Sequence, residues 1–150
     1  MTFRSFLTLA VSLSLLLAAC GSGDPVGLEG FETRTITIDG RQLAVAVAET
    51  PDQRSQGLMG VTDLGGLDGM LFVFPSDTEG GFWMKNTLIA LDIAFFDVGG
   101  GFVDRFTMEP CTEDPCPGYR PSGPYRYAVE APAGALDLVT EGSGLELADD

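Results

Sequence analysis

Polar side chains interrupt an apolar stretch in the run Phe82–Thr87. If this run is extended, Trp83, Lys85 and Thr87 share one face, because side chains alternate along a strand. Trp83 and Lys85 are the only tryptophan and the only lysine of the chain. An aromatic ring beside a cation and a hydroxyl is a suitable lining for a small-ligand pocket. The structural alternative is a lysine stem that packs on the indole at the surface.

A second polar residue, Asp92, lies inside the apolar run Leu88–Val98. On a strand, Asp92 shares a face with Ala90 and Ala94, while the odd-numbered residues form an apolar face that we assign to the core. A buried carboxylate needs a partner or an altered pKa, so Asp92 is a candidate site residue. The alternatives are a solvated face, or a carboxylate that accepts hydrogen bonds from the backbone amides of a loop.

Histidine is absent from the sequence. This excludes Ser-His-Asp and Cys-His nucleophile pairs, histidine general bases and zinc sites that contain histidine. No catalytic residue, metal or other cofactor is indicated by any motif. Carboxylate acid–base chemistry stays open.

Two of the three cysteines, Cys111 and Cys116, lie in a proline-rich loop. In an oxidising compartment a disulfide between them is the default. A metal site that adds Glu113 and Asp114 to the two thiolates is an alternative. A redox-active pair is not favoured, because the CxxC spacing is missing.

The N-terminus has the pattern of a secretory signal: Arg4, the apolar run Phe6–Leu17, and small residues before Cys20. The apolar run is too short to span a bilayer. The cysteine directly after Leu-Ala-Ala resembles the lipobox of bacterial lipoproteins. We therefore expect a signal peptide over residues 1–19, a lipidated Cys20 with a flexible tether over 20–32, and one globular domain over 33–150. The alternative is an ordinary cleaved signal in which Cys20 is coincidental.

The predicted mature chain is strongly acidic. Removing the signal takes away Arg4, which leaves 7 basic and 22 acidic residues and a net charge of −15. Such a surface does not suit nucleic acid and is repelled by anionic headgroups. The expected partners are a bacterial membrane, through the lipid on Cys20, and a small molecule or envelope protein. The predicted location is the periplasm or the cell exterior.

The elements that position these residues begin with a hairpin over Thr33–Glu49, whose two strands meet at Asp39-Gly40. Thr50 and Gln53 form a capping box, with Pro51 at the first helical position. This pattern predicts a short helix from Pro51 to about Met59.

Further strands are predicted from apolar runs bounded by glycine, proline and turn residues. They cover Met70–Phe74, Phe82–Asn86, Leu88–Val98, Phe102–Met108, Tyr125–Glu130 and Leu145–Leu147. Many short strands and one helix indicate an α+β, mainly β fold. We predict a compact single domain of mostly antiparallel strands, sandwich- or barrel-like, with one short helix.

Four segments in this order resemble the signatures of the domain of unknown function 192 family: Arg54–Met59, Gly69–Phe74, Phe82–Thr87 and Leu91–Phe95. The resemblance extends from about Thr33 to Gly134. Two departures stand out: Val61 replaces a basic residue that commonly follows Gly-Leu-Met, and Ala90 replaces a usual proline. The resemblance implies a small β-rich domain, often behind a signal peptide, with no settled activity.

The resemblance also makes Arg54, Trp83, Lys85, Asn86 and Asp92 a connected candidate set. We predict a binding or envelope-associated module that is not an enzyme. Trp83 would supply an apolar wall, and Lys85 and Arg54 would contact an anionic or polar group that Asn86 and Asp92 help to orient. The alternatives are a carboxylate-dependent hydrolase acting on an envelope glycan, and a purely structural or protein-interaction module.

Overall fold

The fold begins with a β-hairpin. The computed structural model describes residues 27–148 of the chain. Strand β1 (Glu32–Ile38) pairs antiparallel with β2 (Arg41–Ala48). The turn residues Asp39 and Gly40 have φ angles of 50° and 79°. Positive φ at both positions suits the tight turns that match the twist of paired strands. The predicted hairpin is present.

Helix α1 (Pro51–Gln56) follows directly. The Thr50 hydroxyl accepts a hydrogen bond from the Gln53 amide, and the Gln53 side chain accepts one from the Thr50 amide. This is the predicted capping box. The helix is shorter than expected, because Gly57 takes a φ of 49° and donates its N–H to the Gln53 carbonyl, which ends the helical turn.

The remaining strands extend over the rest of the domain: β3 (Gly69–Thr78), β4 (Phe82–Trp83), β5 (Leu91–Phe96), β6 (Phe102–Met108), β7 (Gly118–Tyr119), β8 (Tyr125–Pro132) and β9 (Leu145–Leu147). Strand β5 is shorter than the predicted Leu88–Val98. The Asp97 carboxylate accepts hydrogen bonds from the amides of Gly99 and Gly101 at 2.8 and 2.9 Å, so the turn to β6 already begins at Asp97.

Seven strands form one sheet in the order β6-β5-β8-β3-β2-β1-β9, and β4 and β7 form a small second sheet. Five of the six pairings in the large sheet are antiparallel. The exception is the parallel pair β2–β3, since the segment containing α1 carries the chain back before β3 starts.

The large sheet curls into a half-barrel. Its two ends approach each other where the Leu145 amide donates to the Gly100 carbonyl at 2.8 Å, and the Phe102 amide donates to the Ser143 carbonyl at 3.2 Å. Gly100 allows this approach, because a Cβ there would lie 2.1 Å from the Leu145 carbonyl oxygen. The fold is α+β and mainly β, as predicted.

Both faces of the sheet carry apolar clusters. One cluster contains Ile93 and Phe95, and the other contains Ala94 and Phe96, so the centre of β5 is buried on both sides. The face of Asp92 is therefore core, not solvent. The small sheet of β4 and β7 packs over the first cluster, through Phe82 and Tyr119. This arrangement leaves a cavity between the small sheet, α1 and the large sheet.

Candidate functional site

A cavity of about 350 Å³ opens between α1, β3, β4 and β8. This volume is at the lower end of the range for small-molecule pockets. Exposed residues of α1 and the 80–83 segment surround the mouth, and buried aromatic residues form the floor. The lining consists of Pro51, Arg54, Ser55, Gln56, Gly57, Leu58, Met59, Phe72, Phe74, Gly80, Gly81, Phe82, Trp83, Thr87, Tyr125 and Glu130.

Aromatic side chains pack edge to face in the floor and wall of the cavity. The ring centroids of Phe72 and Phe82 are 4.9 Å apart, and those of Phe74 and Tyr125 are 5.3 Å apart. The Tyr125 hydroxyl donates to the Gly80 carbonyl at 2.8 Å. Burial raises the pKa of Tyr125 to about 12, so the phenol stays protonated at neutral pH. The wall is apolar and held in place by mutual packing.

Glu130 is the acidic residue of the cavity. It lies on β8, where its register partners are Met70 on β3 and Ile93 on β5. The residue is only 5% exposed, and its carboxyl group makes no hydrogen bond or ion pair within residues 27–148. No side-chain oxygen in this part of the chain is both fully enclosed and without a partner, so the Glu130 carboxyl oxygens must face the cavity.

Burial among apolar neighbours raises the pKa of Glu130 to about 8. The cause is desolvation, which penalises the charged form of a carboxyl group. Near neutral pH, Glu130 is therefore largely a neutral acid. It can donate a hydrogen bond as an acid, or ionise when a cation arrives.

Arg54 supplies the positive charge of the cavity. One guanidinium nitrogen, Nη1, donates to the carbonyls of Glu49 and Val73, the latter at 3.0 Å. The guanidinium carbon lies 5.0 Å from the centre of the Phe74 ring. The Nε and Nη2 donors of Arg54 make no hydrogen bond to any residue between 27 and 148. Arg54 is thus anchored through one nitrogen and has donors left for a ligand.

One other residue of the predicted set, Trp83, lines the cavity, and Thr87, from outside that set, joins it. Trp83 lines the cavity, and with 55% of its surface exposed it stands at the mouth. Thr87, which shares its predicted face, is buried and also lines the cavity. The structure therefore brings together Arg54, Trp83 and Thr87.

Lys85 and Asn86 are not part of the lining. Lys85 forms an ion pair with Asp114 in the cysteine loop. Asn86 adopts a φ of 56° and binds the loop through its backbone, with its amide 2.9 Å from the Cys111 carbonyl oxygen. Their observed contacts attach the 82–87 segment to the cysteine loop.

The cysteine loop contains the disulfide Cys111–Cys116, as predicted. Within the described part of the chain, no three acidic, cysteine or histidine side chains are grouped so as to hold a metal ion. Asp114, which the alternative metal site would have used, instead faces Lys85.

Asp92 lies on the opposite face of the sheet from Glu130. It is 0% exposed. Its Oδ1 accepts a hydrogen bond from the Thr107 hydroxyl at 2.7 Å, and its Oδ2 accepts from the amides of Gly134 and Leu136 at 2.8 and 3.0 Å. Arg105 Nη1 is 3.9 Å from Oδ2. The structure does not join Asp92 to Arg54 or Trp83; its contacts fix the loop after β8.

Sequence reasoning missed Glu130. The signal was present, because a glutamate occupies an alternating position beside Ala128 in a strand with apolar residues on both sides. Its significance depends on knowing that Met70 and Ile93 lie next to it, which requires the pairing of three strands distant in sequence.

The leader and the lipidation residue Cys20 lie outside the described residues. Within residues 27–148, no helix is both long and apolar enough to cross a bilayer. Residues 27–31, which we assigned to the tether, lie against the domain: Leu28 is 4% exposed in the core, and the Gln56 side chain donates to the Gly27 carbonyl at 3.0 Å.

The fold is shared with two solved structures. One is described as a candidate transcription regulator from Sinorhizobium meliloti 1021, with 28% identity, a TM-score of 0.69, and coverage of 78% of this chain and 95% of that chain. The other is a protein of unknown function from Novosphingobium aromaticivorans DSM 12444, with 24% identity, a TM-score of 0.69, and coverage of 91% and 99%. At 24% identity the second likeness shows the fold alone.

No protein with a curated description matches this sequence. The profile of the DUF192 family, described as "Uncharacterized ACR", matches residues 34–147. These residues include the segments around Arg54, Trp83 and Asp92 from which the resemblance was first inferred. The chain therefore belongs to the DUF192 family.

Proposed function

We propose that this protein is a lipid-anchored, extracytoplasmic binding module that holds a small ligand in the Glu130 cavity. The observation that supports the proposal is the Glu130 carboxyl group, which is buried, faces the cavity and has no partner in residues 27–148. Leaving such a group unpaired costs stability, unlike the fully bonded Asp92. A ligand that pairs with Glu130 would offset this cost.

Binding is favoured over hydrolysis by the composition of the cavity. A glycosidase needs two carboxyl groups about 5–10 Å apart across the scissile bond. Glu130 is the one acidic residue among those that line the cavity, and Asp92 faces the other side of the sheet. The sequence also has no histidine to act as a general base. Such a hydrolase would need its second carboxyl group from outside the lining.

Anchoring rests on the sequence pattern that ends at Cys20, and the charge of the mature chain is compatible with it. A net charge of −15 provides no attraction to anionic lipids, so acyl chains would supply the attachment. The same charge argues against nucleic acid as a partner, even though one structural neighbour is described as a candidate transcription regulator. An envelope protein remains the alternative partner.

A thermal-shift screen of the mature protein against a library of small polar and aromatic compounds tests the proposal. Ligands that raise the melting temperature of the wild type should have little effect on the Glu130→Gln and Trp83→Ala variants. Glu146→Gln is the matched control, because Glu146 is an exposed glutamate on β9 away from the cavity. If both cavity variants keep every ligand of the wild type, the cavity is not the binding site.

A further inference from the structure

A guanidinium group and a carboxyl group line the same cavity without pairing with each other. Arg54 comes from α1 and Glu130 from β8, and both belong to the lining. No ion pair joins them in the described part of the chain. Each group can therefore meet a complementary charge on a ligand.

The surroundings of Glu130 suit an organic cation. Phe72, Phe82 and Tyr125 form the floor and wall, and Trp83 stands at the mouth. Aromatic faces attract an ammonium group, and the attraction grows when water is excluded. A carboxylate in the same cavity adds an ion pair of the correct sign. A purely anionic ligand would instead meet Glu130 as a repulsive or neutral group.

The surroundings of Arg54 suit an anion. Its Nη1 is already used by the Glu49 and Val73 carbonyls, and its remaining edge offers Nε and Nη2. Two neighbouring N–H donors on a planar guanidinium match the two oxygens of a carboxylate. The cavity volume of about 350 Å³ is at the lower end for small-molecule pockets and has room for a molecule of amino-acid size.

On the basis of the proposed function, we propose that the cavity binds a small organic zwitterion, with its ammonium group against Glu130 and its carboxylate against Arg54. The binding step is an ion exchange that conserves charge. Glu130 loses its proton to the buffer as the ammonium group arrives, and the resulting carboxylate pairs with that cation. No covalent bond of the ligand forms or breaks.

Isothermal titration calorimetry of the mature protein tests this assignment with three zwitterions of increasing charge separation or bulk: glycine betaine, γ-aminobutyrate and phenylalanine. At least one of the three should bind with a Kd below about 10 mM. Two isosteres identify the charges that matter. 3,3-Dimethylbutyrate lacks the positive charge of glycine betaine and choline lacks the carboxylate, and each should bind at least about tenfold more weakly than glycine betaine if that is the ligand.

Binding should release a proton if Glu130 ionises when the ligand binds. A purely structural role for Glu130 predicts no proton release. Titration at neutral pH in phosphate and in Tris, which differ in ionisation enthalpy, should show net proton release in the wild type and none in Glu130→Gln. Glu130→Gln should also lose the preference for glycine betaine over 3,3-dimethylbutyrate, the isostere that lacks the positive charge. Arg54→Gln should lose the preference for a carboxylate, so each variant is judged by a ratio of affinities and not by its stability alone.

Arg41→Gln is the matched arginine control, since Arg41 also donates to a backbone carbonyl, that of Ala135, but lies outside the cavity. It should bind like the wild type. If none of the three zwitterions binds, or if binding releases no proton, the zwitterion assignment is overturned. This outcome differs from failure of the proposed function, because the broader thermal-shift screen would then still find ligands whose binding depends on Glu130.

Discussion

Two buried carboxyl groups in this protein have opposite environments. Asp92 accepts three hydrogen bonds, from Thr107, Gly134 and Leu136, and is sealed from solvent. Glu130 has no such partner in residues 27–148 and faces a cavity. A buried carboxylate must be paired or become protonated. Asp92 is therefore suited to holding the structure, whereas Glu130 is suited to meeting a ligand.

The titration of Glu130 makes stability depend on pH. Its pKa rises from the ordinary value of 4.5 to about 8 in the folded protein. Between these two values the folded state holds a proton that the unfolded state releases, so the stability contributed by this group falls as pH rises. Replacing Glu130 with Gln, which mimics the neutral acid, should raise the free energy of unfolding at neutral pH by up to about 3 kcal/mol.

Urea denaturation of wild type and Glu130→Gln at several pH values measures this effect. The difference between the two proteins should be small near pH 4.5 and grow toward pH 8. Glu146→Gln removes an exposed strand glutamate and should follow the wild type. A Glu130→Gln variant that is less stable than wild type throughout this range would contradict the assigned environment.

Asp92 should contribute to stability through the loop after β8. In Asp92→Ala, two backbone amides and the Thr107 hydroxyl lose their acceptor, so we expect a loss of about 3–5 kcal/mol in the free energy of unfolding. Asp92→Asn keeps the shape and one acceptor oxygen and should lose less. Chemical denaturation followed by circular dichroism measures both variants.

Asp137→Ala is the control for Asp92, because exposed Asp137 pairs with the same Arg105 at 3.1 Å. An exposed pair of this kind contributes at most about 1 kcal/mol. If Asp92→Ala cost no more than Asp137→Ala, the hydrogen bonds of Asp92 would not be what holds the loop.

At the scale of elements, the cysteine loop supports the mouth of the cavity. The Cys111 backbone accepts from the Asn86 amide at 2.9 Å and donates to the Thr87 carbonyl at 3.3 Å. Lys85 adds its ion pair with Asp114. Because Thr87 and Trp83 line the cavity, these contacts with the cysteine loop hold one wall of the site in place.

Removing the disulfide should therefore lower the stability of the domain. Closing a loop of this size contributes about 2 kcal/mol in the chain-entropy account, so Cys111→Ser/Cys116→Ser should lose about that much.

Mass spectrometry after iodoacetamide treatment should find the wild-type pair unmodified until reductant is added. A Cys20→Ser background removes the remaining cysteine and serves as the control. Alkylation without reductant would contradict a stable disulfide.

Local features of the elements were predictable from sequence, and long-range features were not. The turn at Asp39-Gly40 and the capping box of Thr50 and Gln53 depend on neighbouring residues alone, and both are present. The early end of β5 depends on hydrogen bonds of the Asp97 side chain. The half-barrel depends on contacts between residues far apart in sequence, such as Gly100 and Leu145.

The dependence on long-range contacts also explains which residues of the candidate site could be predicted from sequence. Trp83 was found because it is the only tryptophan of the chain, and Arg54 was found through the family resemblance; both line the cavity. Glu130 was missed because its environment is created by three paired strands. Asp92 was predicted as a site residue because it is a charged residue in an apolar run. Both faces of that strand are buried, so periodicity alone cannot tell which face carries a pocket.

At the scale of the whole molecule, the proposed lipid anchor bears on where the cavity works. The described chain begins at Gly27, whose carbonyl binds Gln56 of the cavity lining. The seven residue steps from Cys20 to Gly27 reach at most about 25 Å. With a lipid on Cys20, the point where the chain joins the domain lies within that distance of the bilayer surface, and the cavity lining begins beside it.

The anchor itself gives the last prediction. If Cys20 is lipidated as proposed, acyl chains and not surface charge would hold the protein at a membrane, because the proposed mature chain carries a net charge of −15. In a bacterial host, the wild type should stay with the membrane fraction after a high-salt wash, because screening weakens charge attraction but not lipid insertion. Cys20→Ser should be released as soluble protein or remain unprocessed, while Cys111→Ser/Cys116→Ser should still fractionate with membranes. A mature, membrane-bound Cys20→Ser protein would show that attachment has another source, and the cavity would then need to be placed relative to that source.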